Sequence, residues 1–354
     1  MKPAITRIHA IENDPGSPTL ADVAQLAGVS TATVSRCLNT PDRVSEDTRR
    51  RVLDAVRQLG YAPNFGARAL ASRRTDTFGA IIPTMEAAIF ARGLQAFQDE
   101  LGRHGITLLV ASSSYSPELE EEQIRALVAR GADALLLIGH DRTPESYAFL
   151  AKQRTPHVHA WTFDASREFQ SIGFDNGKAM ARLTHKVLDL GHRNIGLISA
   201  PRVGNDRARQ RCEGVREALA TRGLPPDSLR LIETPYSIAN GAAAFEELMS
   251  QDTRPTAVMC GNDVLAAGAL SRARKMGLRV PQDVSVTGYD DIDIAEIVTP
   301  ALTTVHVPHR AMGRGAARML VAMRNGEDPG PSVELEATIA ERESLGPAPV
   351  TPGH

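Results

Sequence analysis

The chain has 354 residues, which predicts roughly two or three domains, and 42% of them are hydrophobic, enough for a sizeable core. Its net charge of −2 argues against a protein that coats nucleic acid, and no window approaches the roughly 18 apolar residues of a transmembrane helix. The three cysteines lie far apart and fit neither a disulfide framework nor a zinc spacing, as suits a reducing compartment.

A tail precedes the first predicted helix. Residues 1–17 are rich in Pro, Gly, Asn and Asp, which predicts a flexible segment. They lack the continuous apolar stretch of a secretory signal. The chain is therefore expected to lie in the cytoplasm.

Residues 18–63 predict a helix-turn-helix domain. Two short amphipathic segments flank Gly28, which allows the positive φ that the turn requires. Thr19 begins a T-x-x-D helix-start pattern, and Ser30 stands where the second helix needs an N-cap. The second helix would point outward a row of small, polar and cationic side chains, namely Thr31, Ala32, Ser35 and Arg36. Such a row suits the major groove of DNA, although an ordinary helical hairpin would show the same apolar pattern.

A third helix completes this predicted domain. Thr40-Pro41-Asp42 breaks the second helix, Ser45 starts the third, and Gly60 ends it. Residues 18–75 contain nine arginines and five acidic residues, a net charge of +4, which leaves −6 for the rest of the chain. A basic head on an acidic body suits phosphate contacts at one end only.

A short linker, residues 64–76, follows the head. Its residues 67–71 favour a helix, but the stretch is too short to be stable alone in water. From these residues alone, a plain linker is the simplest interpretation.

From residue 77 onward the pattern alternates between strands and helices. Strands are predicted at 78–83, 106–111, 133–138, 157–161, 194–199, 229–234, 256–260 and 284–288. Helices are predicted at 90–104, 117–130, 144–152, 176–190, 205–222, 238–250 and 262–276. Two such runs predict two lobes with parallel sheets, and ligands of such folds bind at the carboxyl ends of the strands. A final strand is predicted at Val333–Arg342, with a flexible tail over 346–354.

Three stretches of the head, DVAQLAGVSTATVSRCLN, VSEDTRRRVLDAVRQLGYAPN and ARAL, resemble the LacI/GalR family of bacterial transcription regulators. The resemblance is dense over 19–75 and resumes in blocks to about residue 345, including NDRARQRCEGVREAL and VPQDVSVTGYDD. It implies an α/β fold: a two-lobed periplasmic-binding-protein-like core of two doubly wound parallel sheets, with a small all-α helix-turn-helix domain. The function it implies is a sequence-specific regulator, in most cases a repressor, whose DNA affinity responds to a small-molecule effector.

The resemblance also implies how the core is divided and assembled. The first lobe would comprise about 77–172 and 305–328, and the second about 173–304 and 329–345. SIGFDN (171–176) and LTTVHVP (302–308) would be crossings between the lobes. A homodimer on a pseudo-palindromic operator is implied, and because no leucine heptad follows residue 328, a tetramer is not expected. Such a protein is associated with the nucleoid when it is bound to DNA.

Candidate DNA-contacting residues follow from the same resemblance. In the head they are Thr19, Leu20, Ser30, Thr31, Ala32, Thr33, Ser35, Arg36 and Asn39. The family's linker forms a hinge helix on DNA, and a leucine that Leu70 matches wedges into the minor groove. Unstacking a base step costs a few kcal/mol, which the bend and its extra contacts offset.

Candidate effector-binding residues lie at predicted strand ends. Arg211, Asn262 and Asp290 match family positions that contact the effector, although Arg211 by position alone resembles a surface arginine. The aromatic candidates are Phe90, Trp161 and Tyr236, each of which could instead belong to the core. Together these groups suit a polyhydroxylated ligand such as a sugar or sugar acid. A nucleobase is less favoured, because Ile89 replaces one of the paired aromatics of the family's purine repressor.

An enzyme is not predicted. The chain lacks G-x-S-x-G, G-x-x-x-x-G-K-[ST] and H-E-x-x-H, and His157 and His159 have no cysteine or carboxylate at metal-ligand spacing. No catalytic residue, metal, cofactor or membrane association is therefore expected. The main alternative is a solute-binding protein of transport or chemotaxis with the same two-lobed fold. A third possibility is an architectural DNA-binding protein without a ligand.

Overall fold

The computed structural model describes residues 18–62, 74–163 and 169–349. The chain divides into two compact units, Met1–Thr75 and Asp76–His354. Among the described residues, no helix is long and apolar enough to cross a membrane.

The first unit, the head, contains three α-helices. They are α1 (Leu20–Ala27), α2 (Thr31–Asn39) and α3 (Glu46–Leu59), with a 3-10 turn at Pro41–Arg43. Thr19 and Asp22 form a capping box at the start of α1: the Thr19 hydroxyl accepts from the Asp22 backbone N–H at 3.3 Å, and the Asp22 carboxylate accepts from the Thr19 N–H at 2.8 Å. Ser30 caps α2 by accepting from the Thr33 N–H at 3.1 Å. The predicted starts of both helices are confirmed.

A small apolar core holds the three helices together. Val23, Val34 and Val52, one from each helix, are fully buried, and Ala24 is nearly so. Gly28 has a φ of +64° at the end of α1, the left-handed conformation that glycine adopts without strain. The turn and the buried valines together fix how α2 packs on α1.

The second unit contains the strands β1 (Thr77–Ile82), β2 (Thr107–Ser112), β3 (Ala134–Ile138), β4 (His157–Ala160), β5 (Ser171–Gly173), β6 (Ile195–Ser199), β7 (Arg230–Glu233), β8 (Ala257–Cys260), β9 (Ser285–Thr287), β10 (Thr304–His306), β11 (Val333–Glu334) and β12 (Thr338–Ala340). Its helices are α4 (Ala88–Gly102), α5 (Pro117–Ala129), α6 (Pro144–Gln153), α7 (Asn176–Asp189), α8 (Asp206–Thr221), α9 (Ile238–Met249), α10 (Asp263–Lys275), α11 (Ile294–Ile297) and α12 (His309–Asn325).

Two parallel sheets define two lobes. The first lobe has the strand order β11-β5-β4-β3-β1-β2, and the second has β7-β6-β8-β9. Central strands are apolar throughout: every residue of β3 is buried, as parallel strands covered by helices on both faces require. A separate antiparallel ribbon pairs β10 with β12.

The lobe boundaries differ from the predicted ones. The predicted strand over 333–342 is two strands, because β11 pairs in parallel with β5 in the first lobe while β12 pairs with β10. Assigning all of 329–345 to the second lobe was therefore wrong. The edge of β5 offers unpaired backbone groups that this segment satisfies, and the Leu335 N–H still donates to the Gly173 carbonyl at 2.6 Å.

Two further expectations about chain segments need correction. The segment SIG of SIGFDN is β5 itself, so the first crossing begins only after Gly173. The predicted flexible tail starts too early, since His192 Nε2 lies 2.9 Å from the Gly346 carbonyl oxygen and the Ala348 N–H donates to Leu190 at 2.8 Å. These two hydrogen bonds fix residues 346–348 on the second lobe. Helices α11 and α12 were not predicted individually.

Candidate nucleic-acid interface and ligand cavity

One face of α2 does not pack against the core of the head. Thr31, Ala32 and Arg36 are exposed, while Val34 and Cys37 on the opposite face are buried. Arg36 makes no ion pair with any residue in the described part of the chain. Three of the four side chains in the predicted row on α2 are therefore exposed.

Several other candidate DNA-contacting residues also cap helices or pack on the core of the head. The Thr19 hydroxyl is bonded to Asp22, and the Thr33 and Ser30 hydroxyls lie 2.9 Å apart. Leu20 is half-buried and packs on the apolar core, and Ser35 is also half-buried. Asn39 is the last residue of α2, with a side chain outside the described part, and Leu70 lies outside the described residues altogether.

A cavity of about 300 Å³ lies where strand ends of the two lobes converge. Its lining residues are Ala87, Ile89, Phe90, Tyr115, Asn205, Arg207, Arg211, Tyr236, Asn262 and Asp290. Five of the six effector candidates from the sequence belong to this group. The structure therefore brings together in one cavity five residues that the family resemblance and the strand-end rule predicted as effector contacts.

The buried guanidinium of Arg211 forms no ion pair with a carboxylate among the described residues. It is only 7% exposed, its Nη2 donates to the Tyr236 hydroxyl at 3.1 Å, and its Cζ lies 4.6 Å from the centre of the Tyr289 ring. The Nε–H has no hydrogen-bond partner among the described residues. Because Arg211 forms no ion pair with the described residues either, acceptor oxygens of a ligand would supply the hydrogen bonds that its guanidinium lacks.

Asp290 presents its carboxylate to the same cavity. Its backbone is fixed by two bonds: its N–H donates to the Val305 carbonyl at 2.9 Å, and its carbonyl accepts from His309 Nε2 at 3.2 Å. Its φ of +105° is one that non-glycine residues rarely adopt. No described residue donates a hydrogen bond to the carboxylate, and burial raises its pKa to about 8 although Arg211 opposes that rise.

Asn262 has only half of its amide available. Its side-chain oxygen caps α10 by accepting from the Leu265 N–H at 2.9 Å. The sequence suggested that this amide could both donate and accept toward a ligand. With the oxygen occupied, the NH2 group is the part left to donate into the cavity.

Trp161 supports the cavity from behind instead of lining it. Its ring is 3% exposed and packs edge-on against Phe90 with ring centres 5.6 Å apart. Its Nε1–H donates to His309 Nδ1 at 3.0 Å, which leaves His309 Nε2 to carry the proton that Asp290 accepts. Burial lowers the pKa of His309 to about 4, so the ring is neutral in this relay. The interpretation of Trp161 as a cleft residue was therefore incorrect.

Several lining residues were missed in the sequence. Arg207 stands four residues before Arg211, one helical turn away, and this spacing could have identified it. Tyr115 has a φ of +61°, which no sequence pattern signalled. Of the strand histidines, His159 is buried with its Nδ1 2.7 Å from Nδ1 of His140, and the described residues contain no cluster suited to a metal ion.

The exposed face of α2 and the cavity between the lobes suit a DNA-binding regulator with a ligand-binding core. Residues 19–64 match the model of bacterial regulatory proteins of the lacI family, and residues 184–345 match a periplasmic binding protein-like domain. The HTH-type transcriptional repressor PurR of Salmonella newport (strain SL254) is 34% identical over 334 residues, which are 94% of this chain and 98% of that protein.

Solved structures give the same result. The Lac repressor dimer bound to operator and the anti-inducer ONPF has a TM-score of 0.83 at 26% identity, covering 93% of this chain and 99% of that one. The complex of the transcriptional regulator CelR with cellobiose has a TM-score of 0.67 at 31% identity, covering 92% and 99%.

The chain belongs to the LacI family of bacterial regulatory proteins. It is a DNA-binding transcriptional regulator, and the predicted fold, with a helix-turn-helix head and a two-lobed core, is confirmed. Its relatives are transcriptional regulators and not enzymes. A solute-binding role in transport is not favoured, because the lacI-type head is present.

Proposed function

We propose that a small-molecule effector binds the cavity between the lobes and thereby changes the affinity of the head for operator DNA. The observation that carries this proposal is the pair Arg211 and Asp290. Both are more than nine-tenths buried, both line one cavity, and neither has an ion-pair partner among the described residues. Burying the Arg211 charge without an ion pair and the Asp290 carboxyl group without a hydrogen bond costs stability, which a ligand with complementary donors and acceptors recovers.

The lining favours a sugar or a sugar derivative as the effector. Phe90 and Tyr236 offer apolar ring surface, while Arg211, Asn262 and Asp290 offer donors and an acceptor for hydroxyl groups. The related CelR has been solved with cellobiose, which agrees with this class of ligand.

Ion pairs between the two lobes would respond to a change in the lobe arrangement. Asp141 of the first lobe accepts two hydrogen bonds from Arg209 of the second, at 2.7 and 2.9 Å. On another side Arg92 of the first lobe pairs with Asp293 of the second. An effector that prefers one arrangement of the lobes shifts the population toward it, and only that differential affinity can alter DNA binding.

On the DNA side, we propose a homodimer bound to a pseudo-palindromic operator. Thr31, Ala32 and Arg36 would read base edges, and Leu70 of each protomer would enter the minor groove. The exposed face of α2 supports the first part, and the Lac repressor dimer on its operator is the relative that motivates the second.

Titration of operator binding tests the proposal. The operator is obtained by selection on random DNA, and fluorescence anisotropy of the full chain is measured with sugars, sugar acids, polyols and purines. Arg211→Gln should retain operator affinity while its response to an active compound weakens roughly tenfold or more. Arg222→Gln serves as the control, since Arg222 pairs with Asp189 at the surface, outside the cavity lining. An unchanged response of Arg211→Gln would refute the assignment of the cavity.

A further inference from the structure

Asp263 places a buried carboxyl group next to a residue of the effector cavity. It is the first residue of α10 and follows Asn262, which lines the cavity, but it does not line the cavity itself. Asp263 is 0% exposed and forms no ion pair with any residue that the structure describes. Capping of α10 does not explain this carboxyl group, because the side chain of Asn262 is already the N-cap. The groups that donate to Asp263 therefore indicate its role, since a buried carboxyl group without donors is costly.

The two carboxyl oxygens of Asp263 join two different segments of the chain. Oδ1 accepts from the Thr304 hydroxyl at 2.6 Å, and Oδ2 accepts from the Ile292 N–H at 2.8 Å. The Asp263 N–H donates to the Tyr289 carbonyl at 2.9 Å. Tyr289 and Ile292 enclose Asp290, which lines the cavity. These bonds therefore hold both sides of the loop that carries Asp290 on the start of α10.

Thr304 lies where the chain passes between the lobes. It begins β10, which stands in the chain between β9 of the second lobe and α12, a helix that packs on strands of the first lobe. Its two neighbours in the chain bond to the loop that carries Asp290. The Gly288 N–H donates to the Thr303 carbonyl at 2.9 Å, and the Asp290 N–H donates to the Val305 carbonyl at 2.9 Å. Three successive residues of this passage are thus bonded to the effector side of the second lobe.

Gly288 shows how closely Asp263 packs on this loop. A Cβ at Gly288 would stand 2.2 Å from Asp263 Oδ1, closer than a side-chain atom can approach. The oxygen that accepts from Thr304 therefore lies directly on the loop backbone. Because Asp263 and Thr304 are both fully buried, neither the hydroxyl nor the carboxyl oxygen can bond to water if the two separate. The loop, the start of α10 and Thr304 are thus expected to move together.

We propose that Asp263 is a positioning residue that couples the effector groups Asn262 and Asp290 to the passage of the chain between the lobes. Its carboxyl group holds both groups against Thr304, so an effector that displaces either of them displaces β10. A change in the lobe arrangement acts on the cavity through the same bond. This inference rests on the proposed effector function and adds the side chain that transmits the response.

Thr304→Val breaks the link to Asp263 at nearly constant side-chain volume. Thr303→Val is the matched control, because Thr303 is 1% exposed and its hydroxyl donates to the Arg342 carbonyl at 3.0 Å instead. Thr304→Ser keeps the hydroxyl and should behave as the wild type. Asp263→Ala removes both side-chain links and should lose at least as much coupling as Thr304→Val, which keeps the inference testable if Asp263→Ala does not fold. The double variant should lose no more than Asp263→Ala, since that change has already removed the bond to Thr304.

Coupling is measured on the full chain with D-glucose, D-gluconate, cellobiose and adenine as probes. Calorimetry gives the dissociation constant of each probe, and fluorescence anisotropy gives the factor by which a saturating probe changes operator affinity. For a probe that acts on the wild type, Thr304→Val should keep the dissociation constant within about threefold, because the backbone bonds of the loop remain. The coupling factor should fall by about fivefold or more. Thr303→Val should keep both quantities, even if the two variants lower the melting temperature equally.

Hydrogen exchange tests the same link without any probe. The Gly288 and Asp290 N–H groups should exchange roughly tenfold faster in Thr304→Val than in the wild type, whereas Thr303→Val should leave them unchanged. Unchanged exchange in Thr304→Val, or an unchanged coupling factor, would overturn the role of Asp263. An equal loss of coupling in Thr303→Val would overturn it as well, because it would show a general loosening of β10. If no probe changes the operator affinity of the wild type, the proposed function fails for these classes of effector, and hydrogen exchange alone decides the role of Asp263.

Discussion

Replacement of Asp290 by asparagine should stabilise the effector-free protein at neutral pH. The Asp290 carboxyl is buried, accepts no hydrogen bond from a described residue, and has its pKa raised to about 8 by burial, with Arg211 opposing the rise. In the unfolded chain the pKa of an aspartate is about 3.9. Between these two values the folded state holds a proton that the unfolded state has lost.

The sign of the effect follows from this difference in proton binding. Stability rises with pH only where the unfolded state binds more protons, so here it falls as pH rises from about 4 to about 8. Each unit of pKa difference corresponds to about 1.4 kcal/mol, which sets an upper limit of about 5–6 kcal/mol across the range. Asparagine has nearly the shape of aspartate but does not ionise, so its burial does not depend on pH. If stability falls with pH at only half of this full slope, Asp290→Asn should be about 2 kcal/mol more stable than the wild type near pH 7.

Urea unfolding of the full chain at several pH values measures this advantage. Trp161 is the only tryptophan and is 3% exposed, so its fluorescence reports on the two-lobed unit. The advantage of Asp290→Asn should grow from about pH 4 to pH 8 and vanish at the acid end. Asp291→Asn is the matched control: Asp291 pairs with Arg342 at 2.7 Å, so its loss should destabilise the protein at neutral pH.

A stability difference that does not change with pH would refute this reasoning, as would a destabilised Asp290→Asn at pH 7. The same variant should bind the effector roughly tenfold to a hundredfold more weakly, because an amide replaces the carboxyl group that faces the ligand. If Asp290→Asn gains stability and loses ligand binding, Asp290 serves ligand binding at a cost to the stability of the fold.

Four further outcomes are expected. Exchanging Thr31 and Ala32 for the pair of another family member should change the half-site returned by selection on random DNA, since each base contact contributes about 1–3 kcal/mol of discrimination; an unchanged half-site would place base reading elsewhere. Leu70→Ala should weaken binding to operator far more than to random DNA in gel-shift titrations, and equal losses would show a passive linker. Arg209→Gln breaks a partly exposed ion pair with Asp141, and calorimetry should show an effector affinity lowered by less than about fivefold, whereas a larger loss would mean that the pair touches the ligand. Light scattering at micromolar concentration should show a dimer, and a tetramer or a monomer would contradict the proposed assembly.

Local chemistry explains why the head could be predicted in detail from the sequence. Thr19, Ser30 and Gly60 end or begin helices through contacts within a few residues, so their effect does not depend on the rest of the fold. The alternation of strands and helices in the core is likewise a property of short segments. These local features are sufficient to predict the class of fold without any tertiary contact.

Long-range contacts explain what the sequence did not predict. Residues 333–340 alternate as a single strand would, and only the free edge of β5 and the presence of β10 divide them into two strands. Trp161 ends a strand on the cleft side as predicted, but Phe90 covers its ring and His309 bonds its N–H. Arg142 pairs with Glu120 and Arg209 pairs with Asp141, and pairing across 22 to 68 residues of sequence is not visible in a pattern.

The effector site and the crossing between the lobes share one piece of backbone. Asp290 holds its unusual φ because Val305, in the crossing strand β10, accepts its N–H, and because His309, the first residue of α12, donates to its carbonyl. His309 is in turn held by Trp161 of the first lobe. A rotation of the lobes therefore cannot leave the Asp290 carboxylate where it was, and a ligand that fixes this carboxylate favours one lobe arrangement over another. Differential affinity of this kind is the physical requirement for a ligand to control DNA binding by the head.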